Sequence, residues 1–162
     1  MTEIPYFHIV LVHPSIPLNT GSISRLAVCT GCRLHLIEPL GFSLEESRVK
    51  RAGLDYWKYL DLKVHSSWKS FWEQEIPPSS QKGLHFFSTK GKKNHYQVTF
   101  QMGDYLVFGN ETHGLPPSFY TDFQDQLFSI PMPGEHSRTL NLANAVSIVV
   151  YEGLRQILYS RR

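Results

Sequence analysis

One pattern constrains the fold more than any other: apolar runs of strand length alternate with stretches of helical spacing. The runs lie at 7–12, 33–37, 60–64, 84–88, 104–108 and 127–132. Most are followed by a polar loop and then by residues with helical periodicity. Strands alternating with helices predict an α/β domain, a mainly parallel sheet flanked by helices. In such sheets ligands gather beyond the C-terminal ends of the strands. Three loops rich in glycine and polar residues, 15–21, 109–116 and 131–141, each follow a strand and so belong at that edge.

The helical segments differ in quality. After the first strand, Asn19 or Thr20 is expected to cap a helix that turns Ile23, Leu26, Ala27 and Thr30 inward, with Ser24 and Arg25 near its start. Residues 44–60 have helical spacing, a basic character and an interruption at Gly53. Ser66 or Ser67 caps a helix with Trp68, Phe71 and Trp72 on one side, a spacing that suits a core better than a base-stacking platform. Residues 77–82 form a Pro/Ser break too short for a domain linker, 89–93 a basic loop, and 117–123 one or two helical turns. The last stretch combines a strand end, a polar loop broken by Pro133 and Gly134, and a long helix opened by Asn141. Its Leu142, Ala145, Val149, Val150, Leu154, Ile157 and Leu158 fall mainly on one face. A strand, a loop and a capped helix expose backbone N–H and C=O groups that can grip a small molecule, although an ordinary connection has the same parts.

At 162 residues the chain is expected to form one domain, 1–162. Its net charge of +2 does not argue for nucleic acid by itself. Basic residues are nonetheless grouped at Arg48, Lys50 and Arg51, at Lys90, Lys92 and Lys93, and at Arg161 and Arg162, either as solvated surface or as phosphate contacts. No apolar run has the length of a membrane span and no signal-peptide layout is present, so the cytoplasm is the expected compartment. The pair Cys29 and Cys32 forms a C-x-x-C. It closes a helical pattern, with Gly31 as the C-terminal glycine, and so sits at the wrong end of the dipole to activate a thiol. Core packing is the expected role. One cysteine pair without further ligands at motif spacing predicts no metal.

The loops contain no G-x-G-x-x-G, no Walker loop and no nucleophile elbow. What they do contain suits positioning: Asn19, Arg25, Glu111, Thr139 and Asn141, with Gly109 and Gly114 allowing a ligand close to the backbone. Such a set fits a reaction whose hard chemistry is carried by a cofactor.

Several longer matches occur in one order. They are Ile16-Pro17-Leu18-Asn19-Thr20-Gly21 with Arg25, the stretch from Thr30 to Phe42, and Lys50-Arg51-Ala52-Gly53-Leu54-Asp55-Tyr56-Trp57. Then come Phe108-Gly109-Asn110-Glu111-Thr112-His113-Gly114-Leu115-Pro116, and Ile130-Pro131-Met132 with Asn141-Leu142-Ala143-Asn144-Ala145-Val146. By these residues the chain resembles the SPOUT superfamily of knotted RNA methyltransferases, in particular the small TrmL/YibK type that 2′-O-methylates the wobble nucleotide of tRNA. The resemblance implies a C-terminal deep trefoil knot, which pattern alone argues against. It also implies a homodimer, the anticodon arm of tRNA as substrate, and S-adenosylmethionine as methyl donor, leaving S-adenosylhomocysteine.

By motif position, the resemblance puts the cofactor against Phe87, Gly109, Gly114, Ile130, Thr139 and Leu140. The catalytic set is Arg25, Asn19, Glu111 and Asn141. The family's candidate for helping deprotonate the ribose hydroxyl is Arg25, but a guanidinium stays protonated, and a phosphate clamp is the safer chemistry. Two residues depart from the pattern: His113 replaces the usual arginine and Thr139 the usual serine, and the loop before Thr139 is about one residue longer. The alternatives are a 2′-O-methyltransferase of another RNA site, or an RNA-binding module that keeps the cofactor pocket with little catalysis.

Overall fold

The computed structural model describes residues 3–45 and 56–159. Its centre is a seven-stranded sheet in the order β3-β2-β1-β6-β4-β7-β5, with every neighbouring pair parallel. The strands are β1 (Phe7–Val12), β2 (Arg33–Ile37), β3 (Leu62–His65), β4 (Leu84–Phe87), β5 (Lys93–Asn94), β6 (Asp104–Phe108) and β7 (Leu127–Ser129). Among the described residues, four helices, α1 (Pro17–Thr30), α2 (Trp68–Glu75), α3 (Phe119–Asp122) and α4 (Leu142–Tyr159), flank the sheet together with several 3-10 turns.

The central strands are buried on both faces, which is why they read as unbroken apolar runs. Odd residues of β1 (Phe7, Ile9, Leu11) join Leu34, Leu36, Leu106 and Phe108 beneath α1 and α4. Even residues Val10 and Val12 join Ile37, Phe86 and Val107 beneath α2 and α3, around Phe71 and Phe119. The result is three layers. Trp68 and Trp72 pack against this second core, as their spacing predicted.

Some boundaries differ from the sequence reading. Neither Asn19 nor Thr20 caps α1: the helix begins at Pro17, with Ile16 as a cap residue that makes no side-chain cap bond. Pro17 has the φ a first turn needs and no N–H to satisfy. Strand 60–64 starts two residues later and ends one later, at Leu62–His65, and 127–132 ends at Ser129, shortly before Pro131. The break at 77–82 folds into a 3-10 helix, Pro78–Gly83, and the end of the basic loop at 89–93 enters the sheet as β5. Most of the predicted helix 44–60 lies outside the described residues; Trp57–Tyr59 is a 3-10 turn. On α4, Leu158 is exposed, and the buried stripe is Val146, Val149, Val150, Gly153 and Leu154. Asn141 does cap α4, accepting from the Asn144 N–H at 3.2 Å. Gly31 is the left-handed C-cap of α1. Of the cysteine pair only Cys32 packs in the core, while Cys29 is exposed.

Three histidines on neighbouring strands form a hydrogen-bonded row under α2. His8 Nδ1 lies 2.8 Å from His35 Nε2, and His35 Nδ1 lies 3.0 Å from His65 Nε2. All three are buried, Tyr105 stacks on His8 at 4.1 Å, and the edge of Phe71 closes on His35 and His65. Burial, reinforced by the Arg33 charge, pushes His8 down to about 4, and burial with its histidine neighbours pushes His35 down to about 2. Both rings are therefore neutral in the folded chain at neutral pH. An unfolded histidine titrates near 6.5, so protons bind the unfolded chain first and the stabilising contribution falls as pH drops below about 6.5. Lowering pH from 7.5 to 5 is expected to cost about 2 kcal/mol for each of these two rings, read from urea midpoints. A denaturation midpoint independent of pH across that range contradicts the neutral row.

Candidate active site

The C-terminal ends of β1, β4, β6 and β7 meet at one edge, where the three polar loops converge. A cavity of about 340 Å³ opens there, within the size range of small-molecule sites. Its walls come from strand ends (Phe87, Phe108, Gly109), from the loop after β6 through Leu115, and from Ile130 and Met132. Thr139, Leu140, Leu142 and Ala145 close it from the chain leading into α4. Phe87 and Phe108 stack at 5.1 Å and give it an apolar floor. A second cavity of comparable volume lies at the opposite edge, around Tyr6, Val28, Cys32 and Met102, away from the converging loops.

The loop after β6 is a closed hairpin. Asn110 and Gly114 exchange both backbone hydrogen bonds at 2.9 Å, and the Asn110 side-chain oxygen accepts from the N–H groups of Thr112 and His113. Gly114 has φ 72°, a conformation glycine takes at little cost. Gly109 packs so closely on this hairpin that a Cβ there would overlap the backbone of Gly114 and Leu115. Backbone therefore lines this part of the cavity.

Two side chains tie the hairpin to the loop after β1. Asn110 Nδ2 donates to the His13 carbonyl at 2.8 Å. The Glu111 carboxylate accepts from the Ser15 N–H at 2.9 Å, the Ile16 N–H at 2.8 Å and Asn19 Nδ2 at 3.3 Å. It thereby caps α1 from 95 residues away, in place of the local cap that sequence suggested. Asn19 is buried, and its Oδ1 accepts from Asn141 Nδ2 at 2.9 Å. Glu111, Asn19 and Asn141 thus form one chain of hydrogen bonds linking three loops.

All six residues expected at the cofactor, Phe87, Gly109, Gly114, Ile130, Thr139 and Leu140, line this single cavity. Glu111 lines it too. Asn19 and Asn141 stand behind it, joined to Glu111. Arg25 lies apart, exposed on α1; among the described residues it makes no hydrogen bond or ion pair, and its charge acts on Tyr56, whose hydroxyl donates to the Gly21 carbonyl. His113 is exposed on the cavity rim, as is Lys90, whose Nζ sits 4.8 Å from the Tyr120 ring centroid. Asn110 and Tyr120 were not singled out as site residues from sequence, and Lys90 was read there only within a basic group, either solvated surface or a phosphate contact. Asn110 carried a signal, since an asparagine inside a glycine-bounded turn is a natural backbone acceptor.

A parallel α/β sheet with an apolar, glycine-framed cavity at its C-terminal edge defines a small-molecule-binding α/β domain. The comparisons are specific: residues 6–151 match the SpoU rRNA Methylase family, and the chain belongs to it. A tRNA (cytidine(34)-2'-O)-methyltransferase of Saccharophagus degradans is 50% identical over 153 residues, covering 93% of this chain and 96% of that protein. The enzyme of the same description from Escherichia coli (strain K12) is 47% identical, with 94% of each chain covered. Among solved structures, one described as giving insight into 2-OH methylation of C/U34 on tRNA superposes with TM-score 0.84 at 42% identity, covering 96% of this chain and 99% of that one. The SpoU methyltransferase AviRb of Streptomyces viridochromogenes, in complex with AdoMet, shares the fold at TM-score 0.83 and 24% identity, covering 99% of this chain and 61% of that one.

Replacing Glu111 by Ala leaves the Ser15 and Ile16 N–H groups without their acceptor. We expect a loss of about 2 kcal/mol in urea unfolding. Glu111→Gln, which keeps one carbonyl oxygen, should fall between the two, and equal stability of all three proteins would contradict the bridging role.

Proposed function

We propose that this protein uses S-adenosylmethionine to methylate the ribose 2′-hydroxyl of the wobble nucleotide, cytidine or uridine 34, of tRNA, releasing S-adenosylhomocysteine. The observation that carries the reading is near-complete alignment at 45–50% identity with tRNA (cytidine(34)-2'-O)-methyltransferases, joined to a cavity lined by the six residues the family motifs put at the cofactor. The cavity suits the donor. Its apolar floor at Phe87 and Phe108 matches an adenine face, and the uncovered backbone around Gly109 and Gly114 offers N–H and C=O groups to its polar edges. Thr139 keeps the hydroxyl of the serine it replaces. When bound, S-adenosylmethionine supplies an electrophilic methyl group on a sulfonium.

The protein's part is orientation. Both Glu111 oxygens are engaged by backbone and by Asn19, so Glu111 holds the loops and does not accept the ribose proton. Asn19 and Asn141 extend that frame to the start of α4. Arg25, permanently charged and without a hydrogen-bonded or ion-paired partner among the described residues, is assigned to an RNA phosphate, holding the hydroxyl in place without taking its proton.

The homodimer, the trefoil knot and a cytoplasmic location belong to the same reading. In support of a dimer, α1 and α4 pack together and leave Leu18, Ile148 and Tyr151 exposed. A second copy would also bring further basic residues to an anticodon arm. Among the described residues no helix is long and apolar enough to cross a membrane.

The test is methyl transfer from labelled S-adenosylmethionine to total tRNA from cells lacking the activity, with nuclease mapping. Label at ribose 34 is expected. Label at another ribose would keep the chemistry and reassign the RNA, and tRNA binding without transfer would make this a binding module. Arg25→Ala should slow transfer by about a hundredfold or more while leaving donor binding within about twofold by calorimetry. Gly109→Ala should lose donor binding itself, because its methyl overlaps the hairpin backbone.

A further inference from the structure

Beneath α2, on the far side of the sheet from α1 and α4, lies a group of side chains that the methyl-transfer reading leaves unused. One nitrogen each of His35 and His65 and a carboxylate oxygen of Glu75 lie within 4.8 Å of one another. They come from three elements: the middle of β2, the last residue of β3 and the last residue of α2. Their spacing of 30 and 10 residues matches no metal motif, which explains why sequence reading expected none. We propose that His35, His65 and Glu75 form a site for a divalent borderline ion of the zinc class, with two imidazole nitrogens, one carboxylate and water as its ligands.

The donor set is of the kind zinc takes, and a water completes four-coordination. The surroundings also prepare it. His35 is fully buried, and its Nε2 lies 2.8 Å from His8 Nδ1. Donation of the Nε2 proton to His8 leaves the His35 Nδ1 lone pair directed at His65, the outer hydrogen bond that metal-binding histidines ordinarily make. Phe71 meets both rings edge-on, at 5.3 and 5.1 Å, and limits their rotation. Glu75 is drawn in from the other side, where Tyr105 donates to its backbone carbonyl at 2.9 Å.

Two adjustments are required, one within the histidine pair and one at Glu75. His35 Nδ1 and His65 Nε2 are 3.0 Å apart and now share one proton. Across a tetrahedral ion with bonds of about 2.0 Å the two nitrogens stand roughly 3.3 Å apart and each lone pair aims roughly 35° off the line between them, so the pair opens, both rings turn toward the ion and His65 moves its proton to Nδ1. Because the rings are neutral before and after, no net proton is released. Glu75 must also loosen its 2.9 Å pair with Lys63, whose side chain is 44% exposed. An exposed lysine gives up such a pair at little cost. The ion would cross-link β2, β3 and α2, so the effect to expect is on stability.

The full-length protein, treated with chelator and dialysed, is titrated with zinc chloride and, in parallel, cobalt chloride. We expect one ion per chain at micromolar affinity or better, the visible absorption of four-coordinate cobalt with nitrogen ligands, and a higher melting temperature. His65→Ala and Glu75→Gln each remove a ligand outside the methyl-transfer machinery. Each should weaken zinc at least tenfold and abolish the thermal shift, while donor binding in the cavity stays unchanged. His35→Gln is informative only if circular dichroism shows it folded; Glu75→Gln, a near-isosteric change at a helix end, keeps the test decisive. Absence of one-to-one binding, or binding that survives both His65→Ala and Glu75→Gln, overturns the assignment.

Discussion

Everything at the functional edge depends on two adjacent side chains, Asn110 and Glu111, reaching from the loop after β6 to the backbone after β1. Strand β6 is inserted between β1 and β4 although it follows β4 and β5 in the chain. The segments that must meet at its end are therefore some 95 residues apart. No local rule brings them together. Hydrogen bonds to a charged acceptor are each worth about 1.5–3 kcal/mol, and Glu111 accepts two from backbone N–H groups that a helix start would otherwise leave bare. One residue thus starts α1 and fixes the cavity wall.

The parts of the fold legible in the sequence were those decided by burial on both faces. Strands 7–12, 33–37 and 104–108 were read with their observed bounds, since a continuous apolar run flanked by turns admits little else. Where a neighbour in space decides, reading failed. The start of α1 was assigned to Asn19 or Thr20 because a local cap is the ordinary solution, yet its acceptor arrives with Glu111 from the loop after β6. Two-residue β5 exists only because β7 lies alongside it, and Leu158 fits the helical stripe but extends past the core it was expected to cover.

The candidate site divides the same way. Gly109, Gly114 and Asn141 have backbone duties that their residue types announce, a close approach, a positive φ and a helix cap, and each is found at that duty. That Phe87, Ile130 and Leu140 share a cavity with the two glycines follows from resemblance to a family, since nothing in an apolar side chain says which void it borders. The histidine row was within reach but missed. His8, His35 and His65 each point to the α2 side of adjacent strands, and a register such as Val10 opposite His35 and Ile37 opposite His65 brings them into contact. Sequence gives the side of the sheet, while contact needs the strand order.

The departure at His113 is best understood through the hairpin that carries it. Its backbone N–H is held by the Asn110 side chain, and the hairpin is closed by Asn110 and Gly114, so the loop's shape does not rest on the side chain at position 113. Replacing the usual arginine therefore removes a forked cation from an exposed rim and leaves the cavity intact. Two other cations of the described residues are placed differently: Lys90 lies across the Tyr120 ring beside the cavity, and Arg25 stands on α1 outside it. An RNA strand entering between them would find fixed charge on its two flanks and a weaker, polar contact at residue 113. The cavity keeps its form whatever cation stands at its mouth, because the hairpin is held by Asn110 and Gly114.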